Sequence, residues 1–558
     1  MNRQIPQDIS SYLFDVIVIG AGINGAGIAR DAAMRGLKVL LLDKGDIASG
    51  TTSWATRLIH GGLRYLEYYE FSLVRESLKD REILLRTAPH LVRPLGFLVP
   101  VYEYMSHGKL MVRLGMIAYD VLSPEKSMEH HRAFDREQTL EREPGLNPEE
   151  LKGSVFYYDA QSEYVERVAV ENAVCAHERG TVVLTYAEVE RLIVEGGNVT
   201  GIELADVLSG ERCTAHAPVT VNVAGPWVDR VLGEMDRYGG SEERMIGGTK
   251  GSHLIVDPFP GAPKTALYVE AREDARPYFI VPWNGRYLIG TTDIRYEGDL
   301  DLVVADDEEI DYLISETNHV IPEANLTRDK VLFTYSGVRP LPYQPEGKEG
   351  SVTRSHIIHD HSEKDPRIGG LISIIGGKLT TYRNLSRETV DEIYKKLGRK
   401  APKSRTDKVP LPGGAVRDFE EFAADFKLNS GLAEELAERL LKLYGARAPE
   451  VLRMAGDDPS LRVPLASPSS AETGIIGAEV LYAFRRELAE KLGDVLLRRS
   501  MVGMGPKVGL EVDEAAAQVA VRYLGWSQER ADREVEEYRD YVRRFKPREF
   551  RDREPARA

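Results

Sequence analysis

The sequence predicts an α/β protein: a Rossmann-type nucleotide-binding domain with an inserted mixed-sheet domain, plus a C-terminal all-α domain. Three observations predict it. Residues 15–46, DVIVIGAGINGAGIARDAAMRGLKVLLLDKGD, read as strand, glycine turn, helix and second strand. Strand-like runs then recur as far as Ile375, alternating with helical stretches. Past residue 410 the composition shifts to helix formers.

In the first unit an apolar strand, Asp15 to Ile19, runs into Gly20-x-Gly22-x-x-Gly25. A helix from Ala26 to Arg35 and a strand from Lys38 to Leu42 follow, ending in Asp43. Gly20 permits a tight turn, Gly22 lets backbone approach a pyrophosphate, and Gly25 lets helix and strand pack closely. Ile23 and Asn24 sit in that turn, where free N–H groups and a partial positive charge suit phosphates. Asp43, with Lys44 beside it, lies about twenty residues beyond the glycines and is placed to bond ribose hydroxyls. A dinucleotide is expected here.

The later strand candidates are Thr181–Thr185, Val189–Val194, Val199–Leu204, Val219–Val223, Tyr278–Val281, Tyr287–Ile289 and Leu371–Ile375. Glu163–Glu178 carries apolar residues at helical spacing. The stretch KSRTDKVPLPGG (403–414) is polar and rich in Pro and Gly, as a linker is. The expected organisation is therefore an oxidoreductase region over 12–402 and a helical domain over 410–548. Within the first, nucleotide-binding parts fall at about 12–80, 165–235 and 360–395, and substrate-domain parts at about 90–160 and 240–345. The tail PREFRDREPARA reads as disordered.

At 558 residues the chain is too long for one small core, and two or three domains are the default. Lys and Arg number 73 against 88 Asp and Glu, a net charge of −15 that argues against bulk nucleic-acid binding. Two cysteines, Cys175 and Cys213, supply no disulfide framework and no metal or iron–sulfur cluster, so no metal is expected. A reducing cytoplasm fits. No run reaches the roughly 18 apolar residues of a membrane span.

Four further clusters carry chemistry. In Gly50-Thr-Thr-Ser-Trp-Ala-Thr-Arg-Leu-Ile-His60-Gly-Gly-Leu-Arg64-Tyr65, the hydroxyls of Thr51, Thr52 and Ser53 can bond a pyrophosphate or a ring carbonyl. Gly61 and Gly62 let backbone approach a flat ring. The strand TVNVAGPWVD (220–229) turns sharply at Gly225-Pro226. Gly376-Gly377-Lys378-Leu379-Thr380 follows an apolar strand and offers N–H groups to an anion, with spacing unlike a Walker loop. Last come Lys250-Gly-Ser-His253, TYSGVRPL around Arg339, and Thr353-Arg354. An Arg in an apolar, Pro-bounded run is suited to clamp an anion by its fork.

Together these motifs resemble the FAD-dependent glycerol-3-phosphate dehydrogenases of the D-amino-acid-oxidase-like flavoprotein superfamily, over nearly the whole chain. IGAGINGAGIARDAAMRGLKVLLLDKGD, LIHGGLRYLEYYEFSLVRE, VNVAGPWVD, KGSH, IGTTD, YSGVRPL and GGKLTTYR look like that family's signatures, in order. Asp43 stands where many relatives have Glu. The resemblance implies FAD, held by Gly20, Gly22, Ile23, Asn24, Gly25, Asp43, Lys44, Thr51, Thr52, Ser53, His60, Gly61, Gly62, Ala224, Gly225, Gly377, Leu379 and Thr380. It implies oxidation of sn-glycerol 3-phosphate to dihydroxyacetone phosphate in glycerol catabolism, with electrons passed to a membrane quinone. Arg64, Tyr65 and Arg354 are the expected substrate-binding residues, and His253, Arg339 and Lys378 the catalytic ones. His253 is the candidate base, its reference pKa suiting that task. Lack of a CxxC cluster argues against the iron–sulfur-bearing anaerobic version.

Residues 107–126, HGKLMVRLGMIAYDVLSPEK, join apolar residues to Lys109 and Arg113 and can lie in a bilayer interface. The expected setting is cytoplasmic, at the inner face of the cell membrane, with homodimerisation left open. The rival closest in chemistry is a glycerol-3-phosphate oxidase delivering electrons to oxygen. An amine or amino-acid oxidase is disfavoured by the surplus of cations, and a non-enzymatic flavin binder by the retained His, Arg and Lys set.

Overall fold

The computed structural model describes residues 9–105, 108–233, 244–345, 352–364, 368–465 and 474–547. His107 of the amphipathic stretch and all of the tail except Pro547 lie outside these residues, as does the side chain of Lys109.

The first strand, Val16–Ile19, is wholly apolar and buried because parallel neighbours cover it on both edges and helices on both faces. Six strands make this sheet, in the order Ile357–Asp360, Leu371–Ile375, Thr220–Asn222, Val16–Ile19, Val39–Leu42 and Val182–Leu184. All pairs are parallel except the antiparallel edge strand Ile357–Asp360. The helix after the turn spans Ile23–Met34, starting three residues earlier than the sequence pattern suggests. Gly22 is its N-cap, and Gly25 lies inside the first turn rather than ahead of it. A Cβ at Gly25 would collide with the carbonyl oxygen of Gly20, so glycine is what lets the helix begin against the strand.

A second, ten-stranded mixed sheet carries the long strands Arg93–Tyr102, Leu151–Gln161, Thr249–Val256, Pro277–Trp283, Arg286–Gly290 and Val331–Arg339. A three-stranded antiparallel meander, Ala187–Glu195, Asn198–Asp206 and Arg212–His216, completes the α/β part. Every strand expected from the sequence is present within a few residues, and Glu163–Glu178 is the buried helix Val165–His177.

The Pro/Gly-rich connection is not a free tether. Arg30 donates to the carbonyls of Val409 (2.8 Å) and Pro410 (3.0 Å), and Gly413 N donates to Glu171 (2.9 Å). Glu171 is in turn paired with His90. Beyond it lies the helical domain, including Phe419–Asn429, Glu434–Tyr444, Gly477–Arg486, Asp513–Leu524 and Gln528–Val542. A π turn, Val495–Arg499, interrupts its middle.

Buried charge ties this domain down. Arg167 reaches Glu487 by two bonds of 2.7 and 2.6 Å, and its Nε donates to Leu443 O at 3.0 Å. Both side chains are almost fully buried. Glu487→Ala leaves a buried guanidinium unpaired, which costs about 3–5 kcal/mol. Denaturant unfolding of that variant is expected to begin with the helical domain, at a lower midpoint than the parent protein.

Candidate active site

A cavity of about 960 Å³ opens at the carboxyl ends of the parallel strands. This is the place where chain order reverses on either side of Val16–Ile19, the usual ligand crevice of such sheets. Gly20, Gly22, Ile23 and Asn24 line it, as do Asp43, Lys44, Thr51, Thr52, Ala224, Gly225, Gly377, Lys378 and Leu379. Gly20 has φ +112°, and a Cβ there would meet Val223 O at 2.7 Å, so the turn requires glycine.

The polar groups of this wall are partly committed to one another. Asp43 accepts from Ala21 N (2.7 Å) and Gly45 N (2.9 Å). Thr52 Oγ1 accepts from Ile23 N at 3.0 Å, and Thr51 Oγ1 donates to Val338 O at 2.7 Å. Lys44 pairs with Asp301 (2.6 Å) over the ring of Trp227. Asn24 Oδ1 and Trp227 Nε1 remain buried at the cavity wall with no hydrogen-bond partner among the described residues. A turn without side chains, a carboxylate beside it and two orphaned polar atoms fit a dinucleotide.

Other expected cofactor residues sit off this cavity. Gly25 serves helix packing, as above. Ser53 is buried with its hydroxyl donating to Ala48 O at 2.7 Å. His60, Gly61 and Gly62 form an adjoining turn stitched to the Lys378 loop: His60 N donates to Thr380 Oγ1 (3.1 Å), and Lys378 Nζ lies 3.4 Å from Gly61 O. Burial pushes His60 down to about 4, helped by the Lys378 ammonium.

A second cluster lies beside the turn. Arg339 closes the strand Val331–Arg339, and its neighbours Val338 and Pro340 line the cavity. Its guanidinium donates to Asp293 Oδ1 (3.0 Å), Thr291 Oγ1 (3.0 Å) and Thr292 O (3.1 Å). Arg354 reaches the same carboxylate at 3.3 Å and Arg276 at 2.5 Å. Asp293 is only 6% exposed. Burial alone would raise its pKa, but Arg339, Arg276 and Arg354 hold it well below the usual carboxylate range. Gly251 makes room for the fork: a Cβ there would run into Arg339 Nη2 and Thr291 Oγ1.

Tyr65 faces this group, with Arg354, Arg339 and Arg64 among the charges acting on it. Lys378 Nζ stands 4.4 Å over the Tyr65 ring and donates to Ser77 Oγ at 2.9 Å. Burial pushes its amine down to about 7, against the pull of Asp159, Glu76 and Glu70. His253 stacks on Tyr335 (4.7 Å between centroids), and its Nε2 is 2.9 Å from Thr56 Oγ1. Burial, then Arg339 and Arg57, hold its pKa well below that of free histidine, so the ring is neutral. Arg64 is turned outward along Tyr68. Lys250 of the same motif as His253 is spent on Glu309 (2.9 Å) and Asp306.

Residues 15–383 match the family described as FAD dependent oxidoreductase, and residues 404–531 the C-terminal domain of alpha-glycerophosphate oxidase. A glycerol-3-phosphate dehydrogenase of Synechocystis is 48% identical over 97% of this chain and 98% of its own. An aerobic glycerol-3-phosphate dehydrogenase of Staphylococcus haemolyticus is 33% identical over 90% and 89%. A D-erythritol 1-phosphate dehydrogenase of Brucella abortus is 38% identical over 87% and 94%. The chain belongs to the FAD-dependent glycerol-3-phosphate dehydrogenase family. The crystal structure of the glycerol-3-phosphate dehydrogenase from Bacillus halodurans, complexed with FAD, superposes with a TM-score of 0.76 at 28% identity, covering 96% of each chain.

The protein is thus an FAD-dependent oxidoreductase with the expected α/β fold and helical C-terminal domain. Sequence reasoning missed Asp293 and Arg276 as site residues, although Asp293 ends the quoted IGTTD run. Their meeting with Arg339 depends on strand register, which pairs Thr249 with both Arg295 and Arg339.

Proposed function

We propose that this enzyme oxidises sn-glycerol 3-phosphate to dihydroxyacetone phosphate and passes the electrons to a membrane quinone. The observation that carries the substrate is the charge of the second cluster. Three guanidiniums, of Arg276, Arg339 and Arg354, converge on one carboxylate, a concentration of forked donors suited to a phosphate dianion. FAD held along the Gly20–Gly25 turn would supply the acceptor for the hydride that leaves C2.

The chain's residues divide the remaining work. Arg339 and Arg354, aligned by Asp293, hold the phosphate, and Tyr65 between Arg354 and Lys378 adds a hydroxyl. Arg339 also polarises the C2 oxygen. Neutral His253 takes the C2 hydroxyl proton, with Thr56 fixing its ring. Protonated Lys378 stabilises the alkoxide. The loop of Arg354 is fixed across the site by Thr353 Oγ1 donating to Glu70 (2.5 Å).

Quinone as acceptor is favoured by the helix Lys109–Val121. Its inner face is core: Met116 and Tyr119 are buried, and Tyr119 Oη accepts from Gly61 N at 2.8 Å. Its outer face exposes Met111 (58%), Leu114 (52%), Ile117 (45%) and Val121 (73%), beside exposed Arg113. One helix thickness, about 10 Å, separates that apolar face from the Gly61 turn. Tyr68, Tyr69 and Phe71 are also exposed. Among the described residues no helix is long and apolar enough to cross a membrane, so contact is interfacial.

Three outcomes test this reading. Anaerobic sn-glycerol 3-phosphate is expected to bleach the flavin, and glycerol, without the dianion, to do so far more slowly. Arg339→Ala is expected to lose at least about 100-fold in kcat/KM, roughly 3 kcal/mol for a desolvated charged contact. A loss of only a few-fold would make the arginine structural.

The second concerns pH. With its amine at about 7, Lys378 in the free enzyme is charged below neutrality and loses its proton above it. Because the ammonium is the acting form, kcat/KM is expected to fall as pH rises through about 7. Lys378→Arg, always charged, should flatten that limb; a profile unchanged by the substitution would remove Lys378 from the role.

The third concerns electron delivery. Met111, Leu114 and Ile117 changed together to polar residues should weaken binding to anionic liposomes and slow quinone reduction, leaving flavin bleaching intact. Rapid peroxide formation with negligible quinone reduction by the parent protein would favour the oxidase instead.

A further inference from the structure

The far wall of the dinucleotide cavity comes from the helical domain. Glu534, Glu537, Tyr538 and Tyr541 line it, followed by Arg544 in the turn Arg543–Phe545 that ends the helix Gln528–Val542. Their spacing of three and four places them on one helical face. The two acids are already engaged: Glu534 accepts from Leu492 N (2.8 Å), and Glu537 pairs with Lys491 (2.9 Å). Tyr538 donates to Val508 O.

Arg544 differs. Its guanidinium stacks 4.1 Å over the Tyr541 ring, and its hydrogen bonds go to carbonyl oxygens, of Tyr541 (3.2 Å) and Asp301 (3.1 Å). Among the described residues it forms no ion pair. The other cations at this end of the cavity are all paired: Lys44 with Asp301, Lys491 with Glu537, Arg230 with Glu188 and Asp301, Arg498 with Asp46 and Asp494. The turn's own amides are also partly spent, on Thr52 and Asp43. A diphosphate held here gains from one uncommitted cation, and Arg544 is placed to supply it.

The wall is fixed to the nucleotide loop rather than leaning on it. In the π turn Arg498 and Arg499 both reach Asp46, three residues after Asp43, at 2.6 and 2.8 Å. All three side chains are buried. Phe545 packs edge-on against Trp54 (5.5 Å between centroids), and its carbonyl accepts from Thr334 Oγ1. Asp46 and Trp54 flank the segment that carries Thr51 and Thr52.

We propose that the helical domain is part of the cofactor site, with Arg544 and Tyr541 engaging the adenosine diphosphate half of FAD. This rests on FAD lying along the Gly20–Gly25 turn. FAD is removed, and the apoprotein is titrated with FAD by flavin fluorescence and with ADP, which carries the same half without the flavin ring. Arg544→Met is expected to weaken both ligands about tenfold or more, with partial recovery in Arg544→Lys. In the parent protein FAD should slow hydrogen exchange over 534–547, a reading that needs no variant. A folded Arg544→Met protein binding FAD and ADP within twofold of the parent, or no FAD-dependent protection of 534–547, would overturn the proposal. Gly22→Val separates the two levels. If it loses FAD while Arg544→Met does not, only the helical-domain contact fails. If it keeps full FAD, the placement at the turn fails too.

Discussion

A helix and a strand meet at Gly25, where any side chain would strike the carbonyl oxygen of Gly20. The rest of the structure is arranged around that approach. It sets the helix start at Ile23 directly above the strand ends, so the cavity floor is bare backbone where a charged, bulky ligand must come close. The parallel order on either side of Val16–Ile19 then leaves a crevice at that point. The mixed sheet delivers Val338 and Pro340 to one wall, and the helical domain delivers another.

Two anions must share a water-poor cleft on the proposed reading, and the chain treats them differently. The dinucleotide end relies on backbone, on Asp43 and on cations that are mostly already paired. The substrate end relies on guanidiniums, which would repel one another without a counter-charge. Asp293 serves as that counter-charge, and its depressed pKa expresses how strongly Arg339, Arg276 and Arg354 favour its ionised form. Removing it would loosen the fork that has to meet a phosphate in one geometry. Lys378 is the opposite case: its hydrogen bonds go to Gly61 O and Ser77 Oγ rather than to a carboxylate, and burial drives its amine down until its charge depends on pH near neutrality.

What could be read from the sequence follows from locality. The glycine turn, the flanking strands and the acid after the second strand lie within about thirty residues, so their spacing alone fixes their relation. The alternation of 107–126 likewise showed an apolar face, and that face is exposed on Met111, Leu114 and Ile117. Strand ends could be placed only approximately, and the helix start at Ile23 was hidden because the glycines look like loop. The Asp293 cluster was illegible because antiparallel register brings Arg276, Asp293 and Arg339 together and a distant loop adds Arg354, none of which a local pattern specifies. The face of Gln528–Val542 has a visible helical spacing, but nothing near it in sequence says that it looks onto residues 20–52. The Pro/Gly-rich connection is legible as a connection but not in its contacts: composition describes what a segment avoids, whereas its bonds to Arg30 and Glu171 come from distant elements.

One helix joins the two halves of the proposed reaction. The inward Tyr119 of Lys109–Val121 accepts from Gly61 N and donates to Asp159 at 2.6 Å, and Asp159 is held by Arg81 at 2.6 Å. Arg81 is further bonded to Glu82, whose other oxygen takes Ser127 just beyond the helix. A buried network with every member engaged resists displacement, since breaking any bond strands a charge away from water. The outward residues of the same helix are apolar and uncovered. An uncovered apolar surface is therefore mounted on a buried hydrogen-bonded network. Docking at a bilayer would bring a lipid-borne acceptor close to the site without asking the Gly61 turn, or the Lys378 loop stitched to it, to move.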